Sequence, residues 1–92
     1  MKVEWGDKKR SETLAERGLD FADVGSIDWR LAFTNEDRRR DYAEVRFVTM
    51  APIRDRLCVF VWCWRGDAVR VISLRKANER ERKLYDEALH HP

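Results

Sequence analysis

Much of the usual equipment of a small enzyme is missing from this chain. It has no GxxxxGK[ST] loop for nucleotide phosphates, no GxGxxG after a strand and no HExxH helix for zinc. Its only histidines, His90 and His91, adjoin the terminal Pro92, where neighbours more often form a mobile tail than a catalytic pair. Serine-histidine and cysteine-histidine nucleophile schemes are therefore not expected. The two cysteines, Cys58 and Cys63, fall within LCVFVWCW, where one strand would set them roughly 16 Å apart on opposite faces, too far for a disulfide. They are also too few for a zinc cluster, and read as small buried hydrophobes in a reducing compartment. No metal and no cofactor is expected.

A large excess of one charge is absent as well. Net charge is +2 from 19 basic and 17 acidic side chains, so any anion site must arise from local arrangement. The opening MKVEWGDKKRSETLAERG lacks the apolar stretch of a signal peptide, and no run reaches membrane-spanning length. A cytoplasmic protein with no membrane contact is expected. The 92 residues suit a single domain over 1–92, and 43% hydrophobic content is too high for a disordered chain.

What is present patterns as α+β. KVEW alternates as a short strand, Gly6-Asp7 turns, and Lys8 to Arg17 reads as a helix stopped at Gly18. Asp20 caps a second short helix carrying Phe21, Val24 and Ile27. Trp29, Leu31 and Phe33 alternate as a half-buried strand ended by Asn35-Glu36-Asp37. Glu36 to Arg46 contains four acids and four arginines, and reads as a solvated loop, not a nucleic-acid patch. Val45 to Met50 is the next strand, and Ala51 to Asp55 turns the chain. The eight apolar residues Leu57 to Trp64 then predict a central strand buried on both faces. Arg65-Gly66-Asp67 is a tight turn into Val69 to Arg75, making the last three strands an antiparallel meander. Asn78 and Glu81 have capping-box spacing for a final helix with Leu84, Tyr85, Ala88 and Leu89 on its apolar face.

With histidine discounted, arginine, lysine, tyrosine and carboxylates remain for chemistry. Strict alternation puts Val69, Val71, Ser73 and Arg75 on one face of the last strand and Arg70 on the other. Arg75 at the sheet rim can present a planar fork of donors to a phosphate. Equally, it can pair with Glu79 or Glu81 across the strand-helix junction, and the residues alone favour that pairing. Tyr85 can bring its hydroxyl to the rim or serve as a core-edge aromatic. Lys9 and Arg17 reach the same rim if their helix crosses the sheet. Trp62 and Trp64 are expected in the core.

The order EW-x-x-x-K, RG-L-DF, R-x-V-T-x and WRGDAVRVISLRKA closely resembles the BrnT family, toxins of bacterial type II toxin-antitoxin pairs. The resemblance runs from Trp5 to Tyr85, and its most distinctive part is RGDAVRVISLRKANERERKLY. It implies a RelE-like fold, an antiparallel sheet with two N-terminal helices and one C-terminal helix. It also implies metal-independent RNA cleavage that inhibits translation, and a BrnA-like antitoxin that binds operator DNA, so that the toxin meets DNA only through its partner. Cleavage without metal needs a base at the 2′-hydroxyl, cations at the phosphate and a proton for the 5′-oxygen.

By this resemblance Arg75 is the expected phosphate-stabilising residue, with Lys9, Arg17 and Tyr85 as assisting catalytic groups and Arg65, Lys76 and Arg80 as RNA contacts. Arg70 and Glu81 also match family positions, but strand parity, which faces Arg70 away from Arg75, gives Arg70 a structural role. Many relatives end the first helix with Lys-His-Gly where this chain has Glu16-Arg17-Gly18, which removes a histidine from that position. Arg17 can stabilise charge there but cannot act as a neutral base. The competing expectation is a catalytically weak or inactive antitoxin-binding module that acts as a co-repressor.

Overall fold

The apolar run Leu57 to Trp64 organises the molecule. The computed structural model describes residues 1–90, and His91 lies outside the described residues. In chain order the elements are β1 (Val3–Glu4), α1 (Asp7–Arg17), 3₁₀ helices at Phe21–Ser26 and Trp29–Leu31, β2 (Phe33–Glu36), β3 (Phe47–Ile53), β4 (Arg56–Arg65), β5 (Ala68–Lys76) and α2 (Glu79–His90). The five strands form one sheet in the order β1-β5-β4-β3-β2, with β4 in the middle. Cys58 to Cys63 are all buried, as a strand covered on both faces requires. Both cysteines are free and buried, and burial raises both thiol pKa values.

The fold is α+β, but the sheet is mixed. The β2–β3, β3–β4 and β4–β5 pairings are antiparallel as expected, whereas β1 runs parallel to β5, with Val3 opposite Val69. Alternation in KVEW marks a strand without giving its direction, which depends on a partner near the other end of the chain. The second N-terminal helix is a 3₁₀ helix, with Gly25 inside it. Asp20 does cap it, accepting from the Ala22 amide, and holds Arg10 through two hydrogen bonds of 2.7 and 2.9 Å. Those bonds lower the Asp20 pKa to about 2. Gly18 closes α1 with a φ of 67°.

Three boundaries move for local reasons. Trp29–Leu31 is a 3₁₀ turn and not a strand, because the Asp28 carboxylate accepts from the Arg30 amide at 3.0 Å and curls the chain. Asn35 and Glu36, expected in a turn, belong to β2. Ala51, Pro52 and Ile53 extend β3, and the turn shrinks to Arg54-Asp55, both with positive φ (48° and 62°). That is the two-residue hairpin pattern, made here without glycine. Pro52 lies beyond the last β3 residue paired with β2, an edge position that tolerates proline. Gly66, with φ of 61°, turns β4 into β5.

One irregularity governs the faces. Val61 pairs with Ser73 but Trp62 pairs with Val71, leaving Ile72 as a bulge in β5. Beyond the bulge the parity reverses. Leu74 therefore stays in the core with Val69 and Val71, packed under Leu19, Phe21 and Val24, while Ser73 and Arg75 turn to the opposite face with Val61 and Val59. Arg70, paired with Cys63, lies on that same opposite face, which corrects the alternation expected for Arg70 and Arg75.

On the second face Met50, Val59 and Tyr85 form a smaller core with Phe33 and Leu89 around it. Asn78 and Glu81 form the expected capping box, with reciprocal bonds of 2.8 and 2.9 Å. Leu84 is half-exposed and Ala88 exposed, so the buried stripe of α2 is narrower than its apolar spacing implies. Trp62 is buried as expected, but Trp64 is exposed beside it.

Under the first face, Trp62 Nε1 donates to Thr49 Oγ1 at 2.8 Å, and Thr49 Oγ1 lies 2.8 Å from Thr34 Oγ1. Thr49 is fully buried, and its hydroxyl is the partner the buried indole N–H has among the described residues. Thr49→Val is expected to lower stability by about 2 kcal/mol in denaturant unfolding, by stranding a buried donor, while Thr49→Ser loses much less.

Candidate functional site

The parity reversal at Ile72 brings Ser73 and Arg75 into a groove on the α2 face of the sheet. Val48, Val59, Val61 and Ser73 floor it, Glu36 to Arg39 form one wall, and Arg75 and Glu81 form the other, around a cavity of about 340 Å³. Arg75 Nη1 and Nη2 each donate to Glu81 at 2.7 Å, the pairing that its residue chemistry favours. Glu81 also accepts from the Asn78 amide, so the pair and the helix cap share one carboxylate. These bonds lower the Glu81 pKa and raise that of Arg75, whereas the nearby Arg39 charge acts to lower it. Two guanidinium groups thus line opposite walls of the groove.

The opposite wall is built from the segment expected as a solvated loop, which is a loop and mostly exposed, but one of its carboxylates is buried. The Asp37 side chain is only 1% exposed. It accepts from Arg39 Nε and Nη2, both at 2.8 Å, and from the Tyr42 hydroxyl at 3.0 Å. The Asp37 amide donates to the Arg46 carbonyl at 2.8 Å, closing the loop at its base. The Arg39 bonds hold the Asp37 pKa far below the carboxylate range, against the opposing effect of burial. Equal numbers of acids and bases conceal this knot from a composition argument. The only local signal is Asp37 two residues before Arg39 and five before Tyr42.

The other expected site residues are spread across the molecule. Tyr85 is on the groove side, packed with Val59, but it is buried and its hydroxyl donates to the Leu31 carbonyl. Burial raises its pKa. Arg17 donates to the Leu74 carbonyl at 2.7 Å and lines a depression with Glu16, Leu19 and Lys76. Leu74 and Lys76 register with Phe60 and Cys58, which places that depression on the far face of the sheet. Lys9 is exposed on α1, and Arg80 is exposed on α2. Arg65 lies 3.9 Å from both Glu4 and Glu44, at the β4–β5 turn. Of the expected set, only Arg75 lines the groove. Among the described residues no group of three His, Cys, Asp or Glu side chains is placed to hold a metal, and no helix is long and apolar enough to cross a membrane.

Residues 5–81 match the family model described as ribonuclease toxin, BrnT, of type II toxin-antitoxin system. The chain belongs to the BrnT family. A search of curated proteins returned no match. Family membership makes this a ribonuclease toxin of a type II pair, with an antitoxin as partner. The match covers both groove walls, since it ends at Glu81, and it includes the Asp37 knot of this BrnT chain.

The knot has a consequence for acid stability. A carboxyl whose folded pKa is depressed contributes stability above its unfolded pKa, near 4 for Asp, and that contribution is lost as pH falls through the folded value. Asp37→Asn is expected to cost about 2 kcal/mol at pH 7 and to flatten the fall of stability below about pH 4, as read from urea unfolding across pH. Tyr85→Phe is expected to lower stability by about 1 kcal/mol by leaving the Leu31 carbonyl without its donor.

Proposed function

We propose that the groove between Arg75 and Arg39 is the seat of RNA cleavage, in a metal-independent endoribonuclease that inhibits translation and is neutralised by a BrnA-like DNA-binding antitoxin. The observation that carries this reading is the pair of guanidinium groups, each oriented by a carboxylate, on either side of Ser73. Arginine keeps its charge at any working pH and matches phosphate oxygens with its planar donors. The same reading assigns the α+β architecture to the RelE-like class, supported by the antiparallel run β2 to β5 and the helix that follows it.

Three arginines and three carboxylates line the groove, so it is close to neutral at rest. An entering phosphate competes with Glu81 for Arg75. As Arg75 moves to the phosphate, Glu81 loses the bonds that lower its pKa and becomes a stronger base. Glu81 then takes the 2′-hydroxyl proton, the 2′-oxygen bonds to phosphorus, and the P–O5′ bond breaks. The 5′-oxygen takes a proton from water, and the hydroxide left takes the proton from Glu81, so that the products are a 2′,3′-cyclic phosphate and a 5′-hydroxyl with water and the Glu81 carboxylate restored. Arg75 and Arg39 stabilise the charge that builds on the phosphoryl oxygens.

In this scheme Tyr85 is a positioning residue, anchoring α2 and therefore Glu81. Lys9, Arg17 and Lys76, on the elements of the far face, together with Arg65 and Arg80, contact RNA away from the scissile phosphate. The chemistry uses no histidine at position 17.

A second reading has its own support. The bidentate Arg75–Glu81 pair and the neutral groove also suit a co-repressor module that binds antitoxin without cleaving RNA. Purified chain incubated with RNA separates the two. Cleavage is expected to persist in EDTA, with kcat lowered about 100-fold or more by Arg75→Ala and by Glu81→Gln, and less by Arg75→Lys. Intact RNA with tight antitoxin binding supports the co-repressor, while wild-type cleavage by Arg75→Ala removes Arg75 from the mechanism.

A further inference from the structure

A cluster of arginines lies beside the groove, outside it. Next to it, a cavity of about 260 Å³ is lined by Arg39, Arg40, Tyr42 and Arg46, with no carboxylate. Three of the four acids of the same segment are engaged by particular partners, and the fourth, Asp41, lies between Arg40 and Tyr42 and lines a neighbouring depression with them. Asp37 is bound by Arg39 and Tyr42, Glu36 pairs with Arg38, and Glu44 lies near Arg65. Arg40 and Arg46 form no ion pair among the described residues. The arginines thus line this depression without an acid, while Arg40 and Arg46 also border the neighbouring one that the acids line.

The geometry around Tyr42 is built, not merely basic. The Arg46 guanidinium carbon stacks 4.2 Å from the Tyr42 ring centroid, and Arg46 Nε is buried without a hydrogen-bond partner. The Tyr42 hydroxyl is anchored on Asp37, which fixes the ring. Arg39 spends Nε and Nη2 on that carboxylate and keeps Nη1 available. An orphaned buried donor in a ring of arginines is the arrangement an anion completes.

We propose that Arg40, Arg46 and the free edge of Arg39, set around Tyr42, form a phosphate subsite for single-stranded RNA, one step along the strand from the cleavage groove. This rests on the proposed reading of the groove, because Arg39 lines both cavities. The subsite holds a backbone phosphate that does not react, and the exposed arginine side of the loop sets the direction in which the strand leaves. The contribution of Arg40 and Arg46 is to binding, and kcat is independent of these two.

The test uses a fluorescein-labelled, mixed-sequence 2′-O-methyl oligoribonucleotide, which binds without being cleaved, titrated by anisotropy at several salt concentrations. Arg40→Gln and Arg46→Gln are each expected to raise Kd roughly five- to tenfold and to reduce the slope of log K against log salt by about 0.7, the loss of one single-strand phosphate contact. With cleavable RNA, Arg40→Gln raises KM and leaves kcat unchanged. Arg40 is exposed, so its variant retains the wild-type melting temperature and carries the test even if Arg46→Gln melts lower. Wild-type Kd and salt slope in Arg40→Gln overturn the subsite, even if Arg75→Ala abolishes cleavage. Salt-dependent binding lost in Arg40→Gln, from a wild type that never cleaves RNA, upholds the subsite and sinks the cleavage reading.

Discussion

Opposite Val61 and Trp62 of β4, strand β5 carries one residue too many. Ile72 is that residue, and every side chain after it changes faces. The core needs Leu74 under Phe21 and Val24, and the α2 face needs Arg75 within reach of Glu81. A regular strand running on from Val69 and Val71 would send Leu74 to the groove and Arg75 into the core. A charged guanidinium among Phe60, Val71 and Leu19 would lack the hydrogen bonds that burial demands. The bulge reconciles an apolar packing requirement with a polar surface, and the groove exists because of it.

A second device recurs around the molecule: an arginine aimed by a carboxylate that grips two of its nitrogens. Asp20 holds Arg10, Asp37 holds Arg39, and Glu81 holds Arg75. Such pairs near the surface contribute modestly to stability. Their larger effect is orientational, because a bidentate grip removes rotamer freedom before any ligand arrives. In each pair the carboxylate is also tied to backbone amides or to a tyrosine, so a strand end, a loop and a helix start are fixed together.

Elements set by neighbours in sequence were legible beforehand. Gly18 ends α1, Asp20 caps the following turn, and Asn78 and Glu81 box the start of α2, since each depends on a few adjacent residues. The Trp29–Leu31 turn was misread because alternation and a short 3₁₀ turn place the same residues apolar, and only the Asp28 contact separates them. The Asp37 knot was hidden for a different reason. A count of charges treats every residue of 36–46 as equally solvated, whereas folding buries one carboxylate and leaves Arg38, Arg39 and Arg40 exposed.

Local sequence by itself determined the element order apart from the Trp29–Leu31 turn, the doubly buried central strand, the caps, and the motif order that resembles the BrnT family, whose model matches residues 5–81. Each of these rests on periodicity or on contacts within a turn or two. Only the tertiary structure decided the parallel partner of β1, the side of the sheet on which Arg75 stands, and the distance of Lys9 and Arg17 from it. Those depend on which strand lies beside which and on a single unpaired residue, and pairing between distant segments leaves no periodic trace in either one.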